Sequence, residues 1–380
     1  MQRVAEQGSE IAHADAIPAI HLDEMEGELE RHRTALTGYC YRMLASPFEA
    51  EDAVQETMLR AWRGYQGFEG RAAFRSWLYR IATNVCLDML RGHDRRATPM
   101  DLGPAQAPVE SNLRVHPEVR WIQPIPTTTL AWEADPAELA VTHETIRLAF
   151  VAALQHLPPR QRAVLILCDV MRFKAAEVAD LLGTTVAAVS SALRRARATM
   201  AAAELDTDHA SMTSSVVQRE LLSRYVRAFE AYDPAALKEL IRQDARQSMP
   251  PFDLWLSGRD DVLAWWFGPG IVCKGSRLLP AAHANGRFAF GQYKPSAFGG
   301  GFEPWALQVL EWKDGRIAEF AFFLDTELFP VFGLPPHLDL HTRTVDQPCA
   351  TSASAVRSSN LPSPADWSDE PAVQPWGLSR

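Results

Sequence analysis

The sequence lacks a long hydrophobic run. Its longest apolar stretches, such as 164–168, end far short of the roughly 20 residues that a transmembrane helix requires. Residues 1–22 contain Glu6, Glu10 and Asp15 and no apolar core segment, which argues against a signal peptide. We therefore expect a cytoplasmic protein that does not associate with membranes.

Cysteine is scarce and irregularly spaced, with five residues in a chain of 380. An odd count without close pairs argues against a disulfide framework and against a zinc site. Cys40, Cys86 and Cys168 lie within apolar patterns, so we expect buried thiols. The sequence predicts no metal site and no cofactor.

An excess of positive charge is also missing, because the formal net charge is −9. The chain as a whole therefore lacks the composition of a nucleic-acid-binding protein. The segment 141–200 departs from this average, since its basic residues outnumber its acidic ones. These basic residues are Arg147, Arg160, Arg162, Arg172, Lys174, Arg194, Arg195 and Arg197. Such a local bias is typical of a nucleic-acid-binding surface.

Proline-rich and polar stretches divide the chain into segments. We expect a flexible N-terminus at 1–25, a first helical block at 26–97, a proline-rich linker at 98–135, a second helical block at 136–203, a mixed helix and strand C-terminal domain at 216–335, and a tail at 341–380. The tail is rich in serine and proline and poor in apolar residues, which predicts disorder.

In the first helical block, the segment 48–62 has the apolar spacing of an amphipathic helix. Its predicted core face carries Ala50, Ala53, Val54, Thr57, Ala61 and Trp62. Four acidic residues and no base fall between Glu49 and Glu56, and Glu56 precedes Arg60 in the favourable order for an ion pair. The acids indicate either a solvated face near a helix N-terminus or a binding surface.

A second amphipathic helix follows at 74–85. Its apolar stripe is formed by Phe74, Trp77, Leu78, Ile81, Ala82 and Val85. The side predicted to be exposed carries Arg75, Ser76, Tyr79, Arg80, Thr83 and Asn84. Basic side chains, an aromatic ring and an amide together suit contacts with phosphates and unstacked nucleobases. An ordinary charged surface would have the same sequence pattern.

The second helical block contains a helix-turn-helix pattern, in which Gly183 supplies the turn and Thr184 or Thr185 can cap the next helix. The core side of that helix is predicted to carry Val186, Val189, Leu193, Ala196 and Met200. Its outward side carries Thr185, Ala188, Ser190, Ser191, Arg194, Arg195 and Arg197. Small residues at the N-terminal end of the helix and arginines farther along it suit a helix that enters a DNA groove. The alternative interpretation is a plain helical hairpin.

Both helical blocks resemble a known family. The first contains FEAEDAVQETMLRAWRGYQGF and then FRSWLYRIATNVCLDMLR, which look like region 2 of the extracytoplasmic-function subfamily of sigma-70 RNA polymerase sigma factors. The second begins LPPRQRAVLIL and ends VSSALRRARATM, which resembles region 4 of the same family. The resemblance implies two all-α domains that bind core RNA polymerase, recognise the −10 and −35 promoter elements and direct transcription initiation.

The resemblance also implies roles for particular residues. Asp52, Gln55 and Glu56 would dock on the clamp helices of the largest polymerase subunit, and the second block would lie on the flap of the second-largest subunit. The −10 element would be read by Arg75, Tyr79, Arg80, Thr83 and Asn84, with a flipped base held by the loop 64–73. The −35 element would be read by Thr185, Ala188, Ser190, Ser191, Arg194, Arg195 and Arg197. The sequence does not identify an anti-sigma partner.

In the C-terminal domain we predict a helix at 234–241, strands at 245–249, 287–292, 305–312 and 317–324, and a hairpin turn at Asp314-Gly315. The pattern over 216–333 resembles the SnoaL-like branch of the cone-shaped NTF2-like α+β fold, which implies a pocket for a small ligand. Its aromatic residues either line such a pocket or form a core. They are Trp255, Trp265, Trp266, Trp305, Phe320 and Phe322.

Two further functions compete with that of a sigma factor that has no catalytic site. A stand-alone helix-turn-helix regulator with a ligand-binding domain would leave 29–96 without a purpose. Isomerase or cyclase activity in the C-terminal domain would need an acid/base pair, for which the candidates are Asp253, His283, Glu303 and Asp325. We expect instead that this domain regulates the chain, restraining it through contact with the first helical block.

Overall fold

The computed structural model describes residues 19–65, 73–130, 145–202, 215–297 and 299–340. The first helical block consists of α1 (Ala19–Leu44), α2 (Pro47–Gly64) and α3 (Phe74–Met89). Helix α1 begins before residue 26, so the prediction of a flexible segment up to residue 25 extends too far. Residues 1–18, most of the predicted base-binding loop (66–72) and the tail 341–380 lie outside the described residues.

The three helices enclose an apolar core. Helix α2 begins at the N-cap Ser46, whose hydroxyl accepts from the Glu49 amide, and Pro47 occupies the first helical position. Cys40 of α1 and Cys86 of α3 are both buried in this core, as predicted, and burial raises the pKa of the Cys86 thiol. Cys168 is only partly buried.

The second helical block contains α4 (Leu148–Gln155), α5 (Pro159–Leu165), a π-helical turn (Ile166–Val170), α6 (Ala175–Leu182) and α7 (Val186–Ala202). Residues 136–144 of the predicted block lie outside the described residues. No single helix in the described part is long and apolar enough to cross a membrane, although α6 and α7 pass that test as a bent pair.

The predicted helix-turn-helix is confirmed between α6 and α7. Gly183 ends α6 in the left-handed conformation, with φ 60°, which glycine adopts without strain. The Thr185 hydroxyl accepts from the Ala188 amide at 3.1 Å and caps α7. Val189 and Ala196 are buried as predicted, but Val186 is 48% exposed because it lies in the first turn of α7, beyond the core.

The C-terminal domain has the predicted α+β fold. Its helices are α8 (Ser215–Glu230), α9 (Pro234–Leu240), α10 (Arg259–Phe267) and α11 (Leu328–Val331). Its strands are β1 (Ile241–Ser248), β2 (Trp255–Ser257), β3 (Arg277–Ala284), β4 (Arg287–Pro295), β5 (Gly301–Lys313), β6 (Arg316–Phe323) and β7 (Leu338–Asp339). The sheet order is β2-β1-β6-β5-β4-β3, with β7 beside β5.

Pairing in this sheet is antiparallel except between β1 and β6. Four predicted strands are found, three of them longer than predicted, whereas β2, β3, β7, α10 and α11 were not predicted. The predicted turn at Asp314 and Gly315 has φ values of 52° and 74°, as a two-residue hairpin requires. Asn285 and Gly286 turn β3 into β4 in the same way, with φ values of 52° and 79°.

Aromatic side chains fill one face of the sheet. Trp266 of α10 meets the Phe320 ring edge to face at 5.1 Å, and Phe229 of α8 packs against Trp266. Trp265 and Phe322 are also buried, whereas Trp255 and Trp305 are only partly so. The four buried rings, Trp265, Trp266, Phe320 and Phe322, therefore belong to a core, which was one of the two readings left open by the sequence.

The linker is ordered over residues 97–130 although it contains only short 3₁₀ turns. The Trp255 indole donates to the Gly103 carbonyl at 2.9 Å, and the main-chain amide of Gln106 donates to the Trp255 carbonyl. Farther along the linker, Val115 forms an isolated β-bridge with Phe252, and Pro126 forms one with Ala284. The C-terminal domain therefore fixes the path of the linker at two separate places.

Trp266 provides a test of this core. We expect Trp266→Ala to lower the free energy of unfolding by about 3–5 kcal/mol, because it removes a large buried side chain. The substitution Val272→Ala, at an exposed side chain, should change the free energy of unfolding by less than about 0.5 kcal/mol. Urea denaturation followed by far-ultraviolet circular dichroism measures both, and equal losses in the two variants would contradict the assignment.

Candidate polymerase and promoter interfaces

Helix α2 presents an acidic face. Asp52 and Gln55 are exposed, and Glu56 forms an ion pair with Arg60 at 2.7 Å. The opposite side of α2 is fixed by the buried residues Ala50, Ala53, Val54, Thr57 and Ala61. The structure therefore places the three predicted docking residues together on one accessible surface.

Two apolar side chains extend this acidic face. Leu59 is 52% exposed and Trp62 is 43% exposed. The prediction that Trp62 faces the core was wrong, because the core contact at this turn is made by Ala61. Exposed large apolar side chains next to charges are typical of protein interfaces. Helical spacing alone could not separate Ala61 from Trp62, which are neighbours in sequence.

Glu49 does not belong to the exposed acidic face. Its carboxylate binds Arg96 at 2.7 Å and also binds Arg120 of the linker, and all three side chains are largely buried. Of the acids between residues 49 and 56, Glu49 therefore joins α2 to the linker, whereas Glu51 and Asp52 are exposed and Glu56 is partly exposed.

The predicted exposed side of α3 is partly buried. Tyr79 and Thr83 are fully buried, which contradicts the prediction for both residues. The Thr83 hydroxyl is hydrogen-bonded to the Tyr39 hydroxyl at 2.7 Å, within the first helical block. The Tyr79 ring is packed between Tyr39 and Phe173, with centroid distances of 5.3 and 5.2 Å. Arg75, Arg80 and Asn84 are exposed, as predicted.

The second helical block covers this side of α3. Arg75 donates to the Met171 carbonyl at 2.8 Å, and its guanidinium carbon lies 4.3 Å from the centre of the Phe173 ring. Arg80 donates to the Asp180 carbonyl at 3.0 Å. We call this packing of segment 171–180 on α3 the closed arrangement.

Two buried arginines also join the helical blocks. Arg42 of α1 donates to the Thr145 carbonyl at 3.2 Å, and Arg162 of α5 donates to the Met43 carbonyl. In the part of the chain that the structure describes, the hydrogen bonds of both arginines go to neutral oxygen atoms. Desolvation lowers the pKa of each to about 10.

The outward face of α7 is accessible. Thr185, Ala188, Ser190, Arg194, Arg195 and Arg197 are exposed, and Ser191 is partly exposed. Arg195 donates to the Ser191 hydroxyl at 2.7 Å. Arg197 forms a two-point ion pair with Asp169 at 2.6 and 2.9 Å, so part of its charge is compensated within the block.

Asn285, at the tip of the β3–β4 hairpin, contacts three other segments. Its amide nitrogen donates to the Tyr41 hydroxyl at 2.8 Å and to the Ile146 carbonyl at 2.6 Å. Its amide oxygen accepts from the Ile125 amide at 3.0 Å. This residue was not predicted from the sequence, although Asn-Gly between two apolar segments is a strong hairpin signal.

An ion-pair network lies on β4, β5 and β6. Arg287 is buried and binds both Glu311 at 2.5 Å and Glu319 at 3.3 Å. Arg147, which precedes α4, also binds Glu311, at 2.7 Å. The second helical block is thereby joined to the sheet through a shared carboxylate.

The four acid/base candidates of the C-terminal domain do not come together. Asp253 binds His116, Glu303 accepts from Ser296, and Asp325 accepts from Gln123. His283 is exposed and packs against Phe288. Within the core, the polar groups of Tyr225, Gln308, Gln292 and Ser276 are hydrogen-bonded to one another in series.

Comparisons with known proteins agree with this architecture. The chain matches the family models for sigma-70 region 2 at 29–96, sigma-70 region 4 at 147–200 and a SnoaL-like domain at 222–320. It is 43% identical over 327 residues to the ECF RNA polymerase sigma factor SigG of Mycobacterium tuberculosis (strain ATCC 25618 / H37Rv), covering 83% of this chain and 86% of that protein.

A second relative is the ECF RNA polymerase sigma factor SigJ of the same strain, which is 29% identical over 57% of this chain and 62% of that protein. The crystal structure of Mycobacterium tuberculosis SigJ aligns with a TM-score of 0.51 and 22% identity, covering 83% of this chain and 100% of that chain. This structural likeness supports the fold.

His116 of the linker gives a pH-dependent contact. Hydrogen bonds to Asp253 and Glu118, each 3.1 Å long, raise the pKa of His116 above its usual 6.5. Because the folded-state pKa is raised, the contact stabilises the fold fully below about pH 6.5, the unfolded value, and is lost as the pH rises through the folded value.

We expect Asp253→Asn to lower the pKa of His116, because it removes the carboxylate that is responsible for the largest part of the shift. Titration of the imidazole resonances by NMR measures the pKa. Asp260→Asn, an exposed acid elsewhere in the domain, is the control. An unchanged pKa in the Asp253→Asn variant would show that the pair does not form in solution.

Proposed function

The chain belongs to the extracytoplasmic-function family of RNA polymerase sigma factors, and on that premise we propose which of its surfaces serve each step of transcription initiation. It binds core RNA polymerase and promoter DNA and carries a SnoaL-like domain. A stand-alone helix-turn-helix regulator is not favoured, because the first helical block matches sigma-70 region 2 over 29–96.

The exposed face of α2 is the proposed polymerase-docking surface. Asp52, Gln55 and Glu56 supply charge and hydrogen bonds to the clamp helices of the largest subunit. Leu59 and Trp62 add apolar contact area at the same surface, since both are exposed beside the acids. The flap of the second-largest subunit is the proposed partner of the second helical block. This accessible face is the observation that carries the proposal.

The −10 element is assigned to one side of α3. Arg75, Arg80 and Asn84 supply polar contacts, and Tyr79 supplies a ring on which a base can stack once Phe173 has moved away. Thr83 is not assigned to DNA, because its hydroxyl is bonded to Tyr39 inside the first helical block. In the closed arrangement Arg75, Tyr79 and Arg80 contact the second block, so this surface must open before it can read a promoter.

The −35 element is assigned to α7. Thr185, Ala188, Ser190 and Ser191 form the small-residue end that approaches the bases, and Arg194, Arg195 and Arg197 lie along the phosphates. Arg194 and Arg195 are expected to contribute more than Arg197, whose charge is paired with Asp169.

The C-terminal domain has a regulatory role in this proposal, and we assign it neither a catalytic step nor a ligand. Its core is filled by aromatic rings, and its acid/base candidates are dispersed. Asn285 contacts Tyr41 of the first helical block, which is the kind of contact that restraint requires. The proposed site of action is the cytoplasm, where polymerase and DNA meet.

The docking assignment is tested by transcription with purified core polymerase on fragmented genomic DNA, with the transcript 5′ ends sequenced to map promoters. We expect Asp52→Ala/Glu56→Ala to reduce specific initiation at least tenfold, because the loss of two interfacial charges costs more than about 1.4 kcal/mol. The control is Glu239→Ala/Asp260→Ala, which removes two exposed acids from the C-terminal domain.

Equal initiation by the docking variant and the control would contradict the docking face. The absence of any specific initiation by the wild-type chain would contradict the proposed function itself.

The −35 assignment predicts a salt effect. In the holoenzyme, Arg194→Ala/Arg195→Ala should weaken binding to a mapped promoter and reduce the slope of log affinity against log salt by about 2, since each phosphate contact contributes about 0.9. Filter binding over a salt series measures the slope, with Arg316→Ala of β6 as the control. If the Arg194→Ala/Arg195→Ala variant binds more weakly than wild type but has the same salt slope, direct phosphate contacts by these arginines would be contradicted.

A further inference from the structure

The three arginines of α7 have different surroundings. In the part of the chain that the structure describes, the side chain of Arg194 makes no hydrogen bond or ion pair, and Arg195 donates to the neutral Ser191 hydroxyl at 2.7 Å. The guanidinium of Arg197 instead binds both carboxylate oxygens of Asp169, with Nη2–Oδ1 and Nε–Oδ2 distances of 2.6 and 2.9 Å. The charge of Arg197 is therefore compensated within the chain, whereas those of Arg194 and Arg195 remain available to phosphates.

Arg197 lies on the side of α7 that is proposed to face DNA. Ser190, Arg194 and Arg197 are four and three residues apart, which places them next to one another on one helix face. All three are exposed, and the side chain of Arg197 remains 60% exposed within its ion pair. The position of Arg197 would therefore allow it to reach a phosphate, and its pairing with Asp169 is what limits that contact.

A π-helical turn (Ile166–Val170) sets the position of Asp169. The Met171 amide donates to the Ile166 carbonyl, five residues earlier, at 2.9 Å. Such a turn adds one residue to the helical path, redirects the side chains that it carries and is frequent at functional sites. Ile166 and Leu167 are buried, and the Asp169 side chain is 32% exposed. The carboxylate is therefore held beside α7 by a backbone segment that is anchored in the core.

The geometry of this pair separates it from an ordinary surface ion pair. Isolated exposed pairs contribute little, whereas a guanidinium that binds both oxygens of one carboxylate is the stronger exception. A phosphate group offers an arginine the same two-point contact, so for Arg197 it could only replace Asp169. Because the pair has no net charge, its approach to a phosphate releases no condensed cation from the DNA. Asp169 therefore occupies the place of a phosphate.

From these observations, and resting on the proposed −35 role of α7, we propose that Asp169 sets the affinity of this helix for DNA, because it is an internal counter-ion that withholds Arg197 from the phosphates. Helix α7 then binds the DNA backbone through Arg194 and Arg195. Its binding to any sequence is weaker than three free arginines would allow. Recognition of the −35 element therefore depends more on the small residues at the base-facing end of the helix.

The experiment compares holoenzymes assembled with full-length wild type, Asp169→Asn and the Asp169→Asn/Arg197→Ala double variant. Filter binding over a salt series gives the slope of log affinity against log salt. It is measured on a mapped promoter and on a duplex of the same length with a scrambled −35 element.

Two further variants are controls. Asp180→Asn removes an exposed acid of the same helical block, and in the described residues its carboxylate is paired with no base. It therefore measures the effect of losing one negative charge without releasing an arginine. Asp169→Glu keeps a carboxylate at the position itself. Both controls should have the wild-type slope.

For Asp169→Asn we expect a slope that is steeper by about 0.9, because the released Arg197 adds one phosphate contact. Affinity at low salt should rise about threefold on both duplexes, since a phosphate contact carries no sequence information. The double variant should return to the wild-type slope, because it has lost the released charge. Arg197→Lys, which keeps the charge but cannot bind both carboxylate oxygens, should steepen the slope in the same direction as Asp169→Asn.

An unchanged or shallower slope in both Asp169→Asn and Arg197→Lys, with wild-type holoenzyme bound to the promoter, would overturn this inference alone. A double variant whose slope is shallower than that of wild type by about 0.9 would also overturn it, because Arg197 would then contact a phosphate in the native complex. Equal steepening by Asp180→Asn would assign the effect to net charge and not to Arg197. If wild-type holoenzyme does not distinguish the promoter from the scrambled duplex, the −35 assignment fails and the inference fails with it.

Discussion

The structure depends on the double use of one side of α3. The same residues that suit phosphates and an unstacked base, Arg75, Tyr79 and Arg80, also suit the carbonyls and the aromatic ring of the segment 171–180. A guanidinium group donates to a carbonyl or to a phosphate with similar geometry but gains more from the charged acceptor. The closed arrangement therefore occupies the groups proposed to read the promoter, through contacts that a charged acceptor could replace.

The C-terminal domain contacts both the linker and the second helical block. The linker is held on the C-terminal domain by Trp255 at one place and by Asn285 at another. Arg287 brings Glu311 and Glu319 together, and Arg147 of the second helical block binds Glu311 of the same cluster. The C-terminal domain contributes an external edge and a hairpin tip to these contacts, whereas its interior is occupied by its own aromatic core. Its contacts with the linker and the helical blocks are therefore made by its surface.

The sequence predicts the parts of this protein that depend on local chemistry. Gly183, Thr185 and the Asp314-Gly315 turn are set by backbone conformation and capping, and the structure has them as predicted. Tyr79 was assigned to the wrong side because helical periodicity does not show which part of another domain packs against a helix. Trp62 was assigned to the wrong side because helical spacing does not separate it from its neighbour Ala61, which makes the core contact. Asn285-Gly286 was recognisable as a turn, but its contacts with Tyr41 and Ile146 depend on how distant segments dock.

The most direct test of the account places a photoreactive benzophenone side chain at position 173, where the Phe173 ring lies 5.2 Å from that of Tyr79. Cross-links are then mapped by mass spectrometry in the free chain and in the promoter-bound holoenzyme. We predict a cross-link to a peptide of α3 in the free chain and its loss in the promoter complex. A cross-link to α3 that persists in complexes actively making transcripts, or that is absent from the free chain, would contradict it.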